Sequence, residues 1–472
     1  MTLQTRRILY IFFVTVFFLA APPLILYTAG YRYDFAFYRV VETGSLVVKS
    51  NPPGAHVRLD GELRKEPTPT IINTILPGKI KLLVEKEGYL PWEKEIEVKP
   101  RVTSFEESIT LFAKSEPQAL TERPVAEYWW NAQEDKLAYS TPEGTLRLLN
   151  TLNGRDTLIA NLPAGSAPRL AWSPHEDAFL FSRIDARKRE EFIIVSVLSP
   201  ERIIPLADVT SSRLTGVQWD MRTKSSLYGL NAKRELVRVH YLLKTERTVA
   251  EGPLLSYRAE EDRILLVSEA RGGSPLLSWI SPADQSTVHL VSGVPFSERH
   301  ELVRTSSQYI VLANPSAREL VIVDPTVRDA NSDAEPVVIP EVREFAIAGD
   351  GSVVVYSDGF SLYARSLTTP LSVLPAAHEK GTLITRYSKP VASLSVNQNG
   401  SHVFYVVDGE LRVNEVASSS DPRSTTLLSG LRSIRSLGFA SRRNALLFIG
   451  ADRVLQSLAL SREDSRPFLF GD

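Results

Sequence analysis

The sequence predicts an all-β protein carried behind a single membrane-crossing helix. Three observations predict it. Residues 8–31, ILYIFFVTVFFLAAPPLILYTAGY, hold no charged side chain. Residues 44–113 alternate apolar and polar side chains in short runs, divided by Gly and Pro turns. From residue 125 onward a unit of roughly 44 residues recurs, each copy with several strand-like runs.

The first element is the helix. Its apolar run is long enough for a bilayer of about 30 Å. Arg6 and Arg7 precede it, and Tyr27, Tyr31, Tyr33, Phe35, Phe37 and Tyr38 form an aromatic belt at its far end. Pro22-Pro23 is expected to kink it, because proline removes backbone donors. A cleaved signal peptide is the competing reading. The run is longer than a signal core, and a cut after Ala21 would place Pro22 next to the scissile bond, so an uncleaved anchor is preferred. Arg32, Arg39 and Lys49 on the far side leave only a small charge bias, which favours an N-terminus inside.

Composition narrows the function. The net charge of -1 gives no field for nucleic acid. The count of cysteines is 0, which excludes disulfides, thiolate chemistry, Cys-ligated zinc and a lipid on an N-terminal cysteine. At 472 residues there is room for several domains. The expected boundaries are a cytoplasmic tail at 1–7, a transmembrane signal anchor at 8–31, a juxtamembrane segment at 32–43, a small β-domain at 44–113, a linker at 114–124 and a β-propeller at 125–472.

The small domain reads as a sandwich of antiparallel strands. SLVVKS, AHVRLD, KIKLLVEKEGY and KEIEVKP supply strands, and Pro52-Pro53-Gly54, Asp60-Gly61, Pro77-Gly78 and Glu87-Gly88 supply turns. SNPPGAHVRLDG, followed by TPT at 68–70, LPGK at 76–79 and EGYLPW at 87–92, resembles the PEGA domain. Pro53 stands where that motif has glutamate. The resemblance implies an envelope or surface module of bacteria or archaea, without catalytic residues. Its expected role is a spacer or adhesion domain that lifts the rest of the chain off the membrane.

SEPQALTERP at 115–124 then reads as a polar linker, and the repeat begins. YWWNAQEDKLAYS, LAWSPHEDAFLFS and VQWDMRTKSSLYG align on Trp130, Trp172 and Trp219. The register continues, with drift, through Tyr257, Val303, Ile347, Val396 and Phe439. Asp135, Asp177 and Asp262 each fall five residues after their aromatic. A period of this length with four strands per unit is that of a propeller blade, whose sheet must stack on neighbours to bury both faces. Eight units are counted, with seven blades as the alternative because the fifth is the least regular. WSPHEDAFLF resembles the WD40-like repeat of TolB-type propellers, with His175-Glu176 where Asp-Gly is usual. That resemblance implies a fold that serves binding in many families and catalysis in a few.

No catalytic, cofactor or metal residue is assigned. The chain has no G-x-S-x-G, no H-E-x-x-H and no P-loop. His56, His175, His240, His289, His300, His378 and His402 show no ligand spacing. His175-Glu176-Asp177 and Glu260-Glu261-Asp262 read as solvated turns, and the three tryptophans as packing between blades rather than a binding platform. The ligand-binding residues are unknown from sequence. Residues 327–336 and 418–424 are candidate contact loops, or inert inserts. The expected function is a membrane-anchored extracytoplasmic scaffold that binds a protein or a cell-surface polymer. A glycan-active enzyme with channel carboxylates and a self-assembling surface protein are the alternatives.

Overall fold

The computed structural model describes residues 3–28, 30–34, 38–162, 168–184, 190–269, 275–283, 286–292, 301–305, 309–324, 336–368, 381–416, 424–431 and 434–462. It divides into two compact units, one led by residues 1–114 and one holding most of residues 115–472.

The first unit opens with one helix, Leu3–Thr28, which continues through Pro22 and Pro23. Gln4–Thr28 is long and apolar enough to cross a membrane, and none of its apolar window is buried inside the protein. The segment after it is more ordered than its sequence suggests. Tyr31–Asp34 and Arg39–Glu42 pair as a hairpin. Arg32 stacks its guanidinium over Tyr27, 3.6 Å from the ring centroid. Phe35 and Phe37 lie outside the described residues.

The small domain has two sheets over one core. One contains, in order, Thr70–Ile75, Gly44–Asn51 and Thr103–Thr110. The other contains Glu62–Leu63, His56–Leu59, Gly78–Glu85 and Trp92–Val98. Alternation sends Leu46, Val48, Val57, Leu59, Leu82, Val84, Ile96 and Val98 inward. Asp60 and Gly61 both have positive φ (48° and 87°), the two-residue turn that matches strand twist. The domain is not purely antiparallel, as the sequence suggested. Gly44–Asn51 runs parallel to Thr103–Thr110, because the first and last strands of the domain lie side by side. Lys94 takes a core-facing position, and its ammonium is 3.1 Å from both carboxylate oxygens of Glu106. That pairing offsets the cost of burying the charge.

Among the described residues, the chain after the small domain forms eight four-stranded sheets. Their innermost strands begin at Glu127, Arg169, Thr215, Leu254, Glu301, Glu344, Val391 and Arg435. We number the blades 1 to 8 in that order. Blade 2 is typical: Arg169–Trp172, Ala178–Ile184, Glu190–Ser196 and Ile203–Pro205 pair in sequence. The irregular fifth unit is a full blade, Glu301–Thr305, Ile310–Asn314, Glu319–Val323 and Val337–Ile339, so the ring has eight blades and not seven.

Apolar side chains fill each gap between neighbours. Phe179, Phe181 and Ile193 of blade 2 pack on Ala138 and Leu148 of blade 1. Leu447, Ile449 and Leu455 of blade 8 pack on Leu137, Tyr139 and Leu149 of blade 1. The last contact closes the ring. Closure is also covalently staggered: Gln118–Ala119, inside the stretch read as a linker, forms the outer strand of blade 8. Leu120 N donates to Leu455 O at 2.8 Å, and Val125 N to Arg453 O at 2.7 Å. A strand of two residues carries no visible alternation, so sequence alone could not reveal it.

Candidate functional site: the charged mouth of the ring

An inner strand pairs with a partner on one side only. Its other edge would leave backbone carbonyls bare. Side chains of a neighbouring blade cap them. Tyr128 Oη donates to Ser436 O at 2.6 Å. Trp172 Nε1 donates to Trp129 O at 3.1 Å, and Trp219 Nε1 to Ala171 O at 2.9 Å. Tyr257 Oη donates to Gly216 O at 2.7 Å, and Arg258 Nη1 to Leu302 O at 2.9 Å. The aligned tryptophans therefore work between blades, as read from the repeat. Burial pushes the Tyr128 and Tyr257 phenols up, which keeps them protonated as donors. Trp130 lies half-buried in the seam between blades 8 and 1, with the Arg443 guanidinium 5.3 Å from its ring.

These bonds join similar heights of neighbouring inner strands, near the starts at Tyr128 and Ser436 and near the ends at Trp172 and Trp129 and at Trp219 and Ala171, so the inner strands point the same way and begin at one mouth of the ring. Charged residues stand at that position in blades 1, 2, 5, 6 and 8: Glu127, Arg169, Glu301, Glu344 and Arg435. Arg169 Nη2 and Glu301 Oε1 are 3.8 Å apart, although blades 3 and 4 lie between their own. Their side chains thus reach across the opening. Both are largely exposed, so the pair adds little stability and is free to exchange partners.

Among the described residues Glu127 and Glu344 have no ion-pair partner. Surrounding protein pushes both carboxyls up, with burial as the sole cause. Glu344 still reaches solvent. A carboxyl with a perturbed titration at the opening of a closed ring is a binding-site candidate. Sequence reading missed this set. The signal was available: Glu127, Arg169 and Glu344 each stand three residues before Trp130, Trp172 and Ile347, the aligned positions of their repeats.

The clusters singled out from sequence lie at the other end, in the turns after the inner strands. Glu176 has φ 57° and its carboxylate accepts from Asn131 Nδ2 of blade 1 at 3.1 Å. Asp177 accepts from Ser173 Oγ at 3.0 Å and pairs with Lys224 of blade 3 at 3.2 Å. His175 is exposed beside them. Glu134 is the equivalent of Glu176 in blade 1 and accepts from the N–H groups of Arg442 and Arg443 at 3.1 Å each. The acidic turns thus clamp blade to blade. Glu260 and Asp262 both face Arg263, at 3.4 and 3.8 Å.

Among the described residues no group of three His, Asp or Glu is placed to hold a metal ion. His56 is exposed, and His240 Nδ1 accepts from Leu243 N at 3.2 Å. His402 is buried. His300, His378 and the side chain of His289 lie outside the described residues, as do the candidate loops 327–336 and 418–424 apart from Pro336 and Ser424.

Residues 43–111 match the PEGA domain. The small domain is a PEGA domain, as its motifs suggested; the match does not extend to the ring. No curated protein matches the chain. Among solved structures, the chain is similar to the β-propeller domain of Cps50 (Swd1) from Myceliophteria thermophila, at 11% identity and TM-score 0.41, over 74% of this chain and 100% of that one. It is also similar to the C-terminal WD40 domain of Sif2, at 14% identity and TM-score 0.43, over 73% and 98%. The ring itself is established by the strand pairing.

Proposed function

We propose that this chain is a single-pass membrane scaffold whose propeller lies outside the cytoplasm and captures a protein or a cell-surface polymer at the charged mouth. The observation that carries this reading is the convergence of Glu127, Arg169, Glu301, Glu344 and Arg435 on one end of a closed ring. Every blade is packed on both faces, so the mouth is rigid and little ordering entropy is lost on binding. Mixed signs suit a partner with both donors and acceptors, and the desolvated Glu127 and Glu344 gain most from a cationic or hydroxyl-rich one. The apolar helix Gln4–Thr28 and the PEGA domain support anchoring at an envelope.

Site-specific photo-crosslinking in living cells tests it. A photoreactive residue at Glu344 should form adducts that Glu127→Gln reduces several-fold, and one at Met221 on the opposite end should not. Equal adducts at both ends would refute the mouth as the site.

A second reading has one observation in its favour: a raised carboxyl such as Glu344 is what a general acid for glycoside cleavage requires. Turnover of cell-wall glycans that disappears in Glu344→Gln would establish it. Equal, background rates would remove it.

A further inference from the structure

The face opposite the mouth carries a row of exposed leucines. The turn between the third and fourth strands of blade 1 presents Leu152, 65% exposed. The same turn of blade 2 presents Leu198, 90% exposed, and that of blade 3 presents Leu242 and Leu243, 63% and 68% exposed. Three hydrogen bonds fix these turns to the acidic end of the ring. Thr151 N donates to Asp135 O at 2.9 Å, Val197 N to Asp177 O at 2.9 Å, and Tyr241 N to Ser225 O at 3.0 Å. The leucines therefore form an arc on three successive blades, all on one face.

Basic residues flank them. Arg155, Arg202 and Lys244 are exposed in the same three turns, and Arg222 and Lys224 in the neighbouring turn of blade 3. Within the three leucine-bearing turns Glu201 is the one acidic residue. Carboxylates of the inner turns of blades 1 and 2 on that face are engaged by protein: Glu134 by Arg442 and Arg443 N–H groups, Asp135 by Lys136, Glu176 by Asn131 and Asp177 by Lys224. Arg155, Arg202 and Lys244 make no ion pair among the described residues.

We infer that this arc rests on a lipid bilayer that carries anionic headgroups. Leucines, one or two to a turn, on the tips of separate hairpins and each beside a cation suit an interface in which apolar tips enter the acyl boundary and ammonium or guanidinium groups meet phosphates. A protein partner would call for a continuous apolar patch depleted in lysine. The inference rests on the anchor reading, because the helix keeps a bilayer within reach. It opposes the expectation that the PEGA domain holds the propeller clear of the membrane.

The chain has 0 cysteines, so a single introduced cysteine takes a label without background. Full-length Leu152→Cys, Leu198→Cys and Leu243→Cys, each carrying an environment-sensitive fluorophore, are reconstituted into phosphatidylcholine–phosphatidylglycerol vesicles that contain nitroxide acyl chains. Glu143→Cys, in an exposed turn on the mouth face, is the reference. The expected result is a blue shift and several-fold quenching at all three leucine positions and none at 143. Labels as wet as the reference, on protein that floats with the vesicles, would overturn the inference and leave the anchor standing. A blue shift without nitroxide quenching would assign the arc to a second copy or another protein surface and also overturn it. Protein that fails to float would remove the anchor reading and this inference together.

Discussion

Replacing His402 with asparagine removes a titration that burial has displaced. His402 begins the second strand of blade 7 and is 6% exposed. Its Nδ1 lies 2.8 Å from Ser401 Oγ, and its backbone N donates to Asn397 Oδ1 at 3.0 Å. Burial pulls the imidazole from 6.5 down to about 4. Above pH 6.5 the imidazole is neutral in both folded and unfolded chains, and the group does not affect stability. Below that pH the unfolded chain binds a proton and the folded chain does not, so stability falls until pH reaches about 4. At about 1.4 kcal/mol per pH unit, the loss amounts to roughly 3 kcal/mol. Urea unfolding of the detergent-solubilised full chain, followed by tryptophan fluorescence, gives the assay. Carboxylates titrate in part of the same window, so the informative quantity is the difference between His402→Asn and the parent. The variant is expected to pay a fixed packing cost near neutrality and to recover it as pH falls towards 4. Parallel curves for the two proteins would refute the displaced titration.

Three further substitutions probe the ring. Gly400 has φ 70°, and a Cβ there would lie 2.5 Å from Val353 Cγ1 of blade 6, so Gly400→Ala should destabilise by about 2 kcal/mol or more and lower the urea midpoint. Tyr257→Phe leaves Gly216 O without its donor between blades 3 and 4, and a loss of about 1–3 kcal/mol is expected in the same assay; an unchanged midpoint would show that water replaces the phenol. Leu120→Ala, beside the closing strand and 1% exposed, should cost about 2–5 kcal/mol and raise proteolysis at the seam of blades 8 and 1, whereas a cut pattern identical to the parent would show that closure does not depend on this side chain.

Much of the architecture could be read from the sequence because repeats carry their own register. Trp130, Trp172 and Trp219 marked the ends of three inner strands, and Trp172 and Trp219 the bonds that join them. Turn chemistry was legible where glycine held the left-handed position, as at Gly61 and Gly400. It was less legible where Glu134 and Glu176 take that conformation. There a carboxylate bonded to the neighbouring blade compensates for the strain, and no local pattern announces it. Long-range pairings escaped as well. The parallel contact of Gly44–Asn51 with Thr103–Thr110 and the return of Gln118–Ala119 to the last blade depend on closure of the whole unit. The mouth was hidden for a similar reason. Glu127, Arg169, Glu301, Glu344 and Arg435 are spread over some three hundred residues, and only the ring brings them together.

The most direct test of the account is protease accessibility of the propeller, read from a tag fused after residue 472. An extracytoplasmic propeller predicts loss of the tag when protease is added to intact cells, or to spheroplasts where an outer layer shields the surface. A tag that survives in spheroplasts and is lost only after lysis would place the propeller in the cytoplasm and contradict the account.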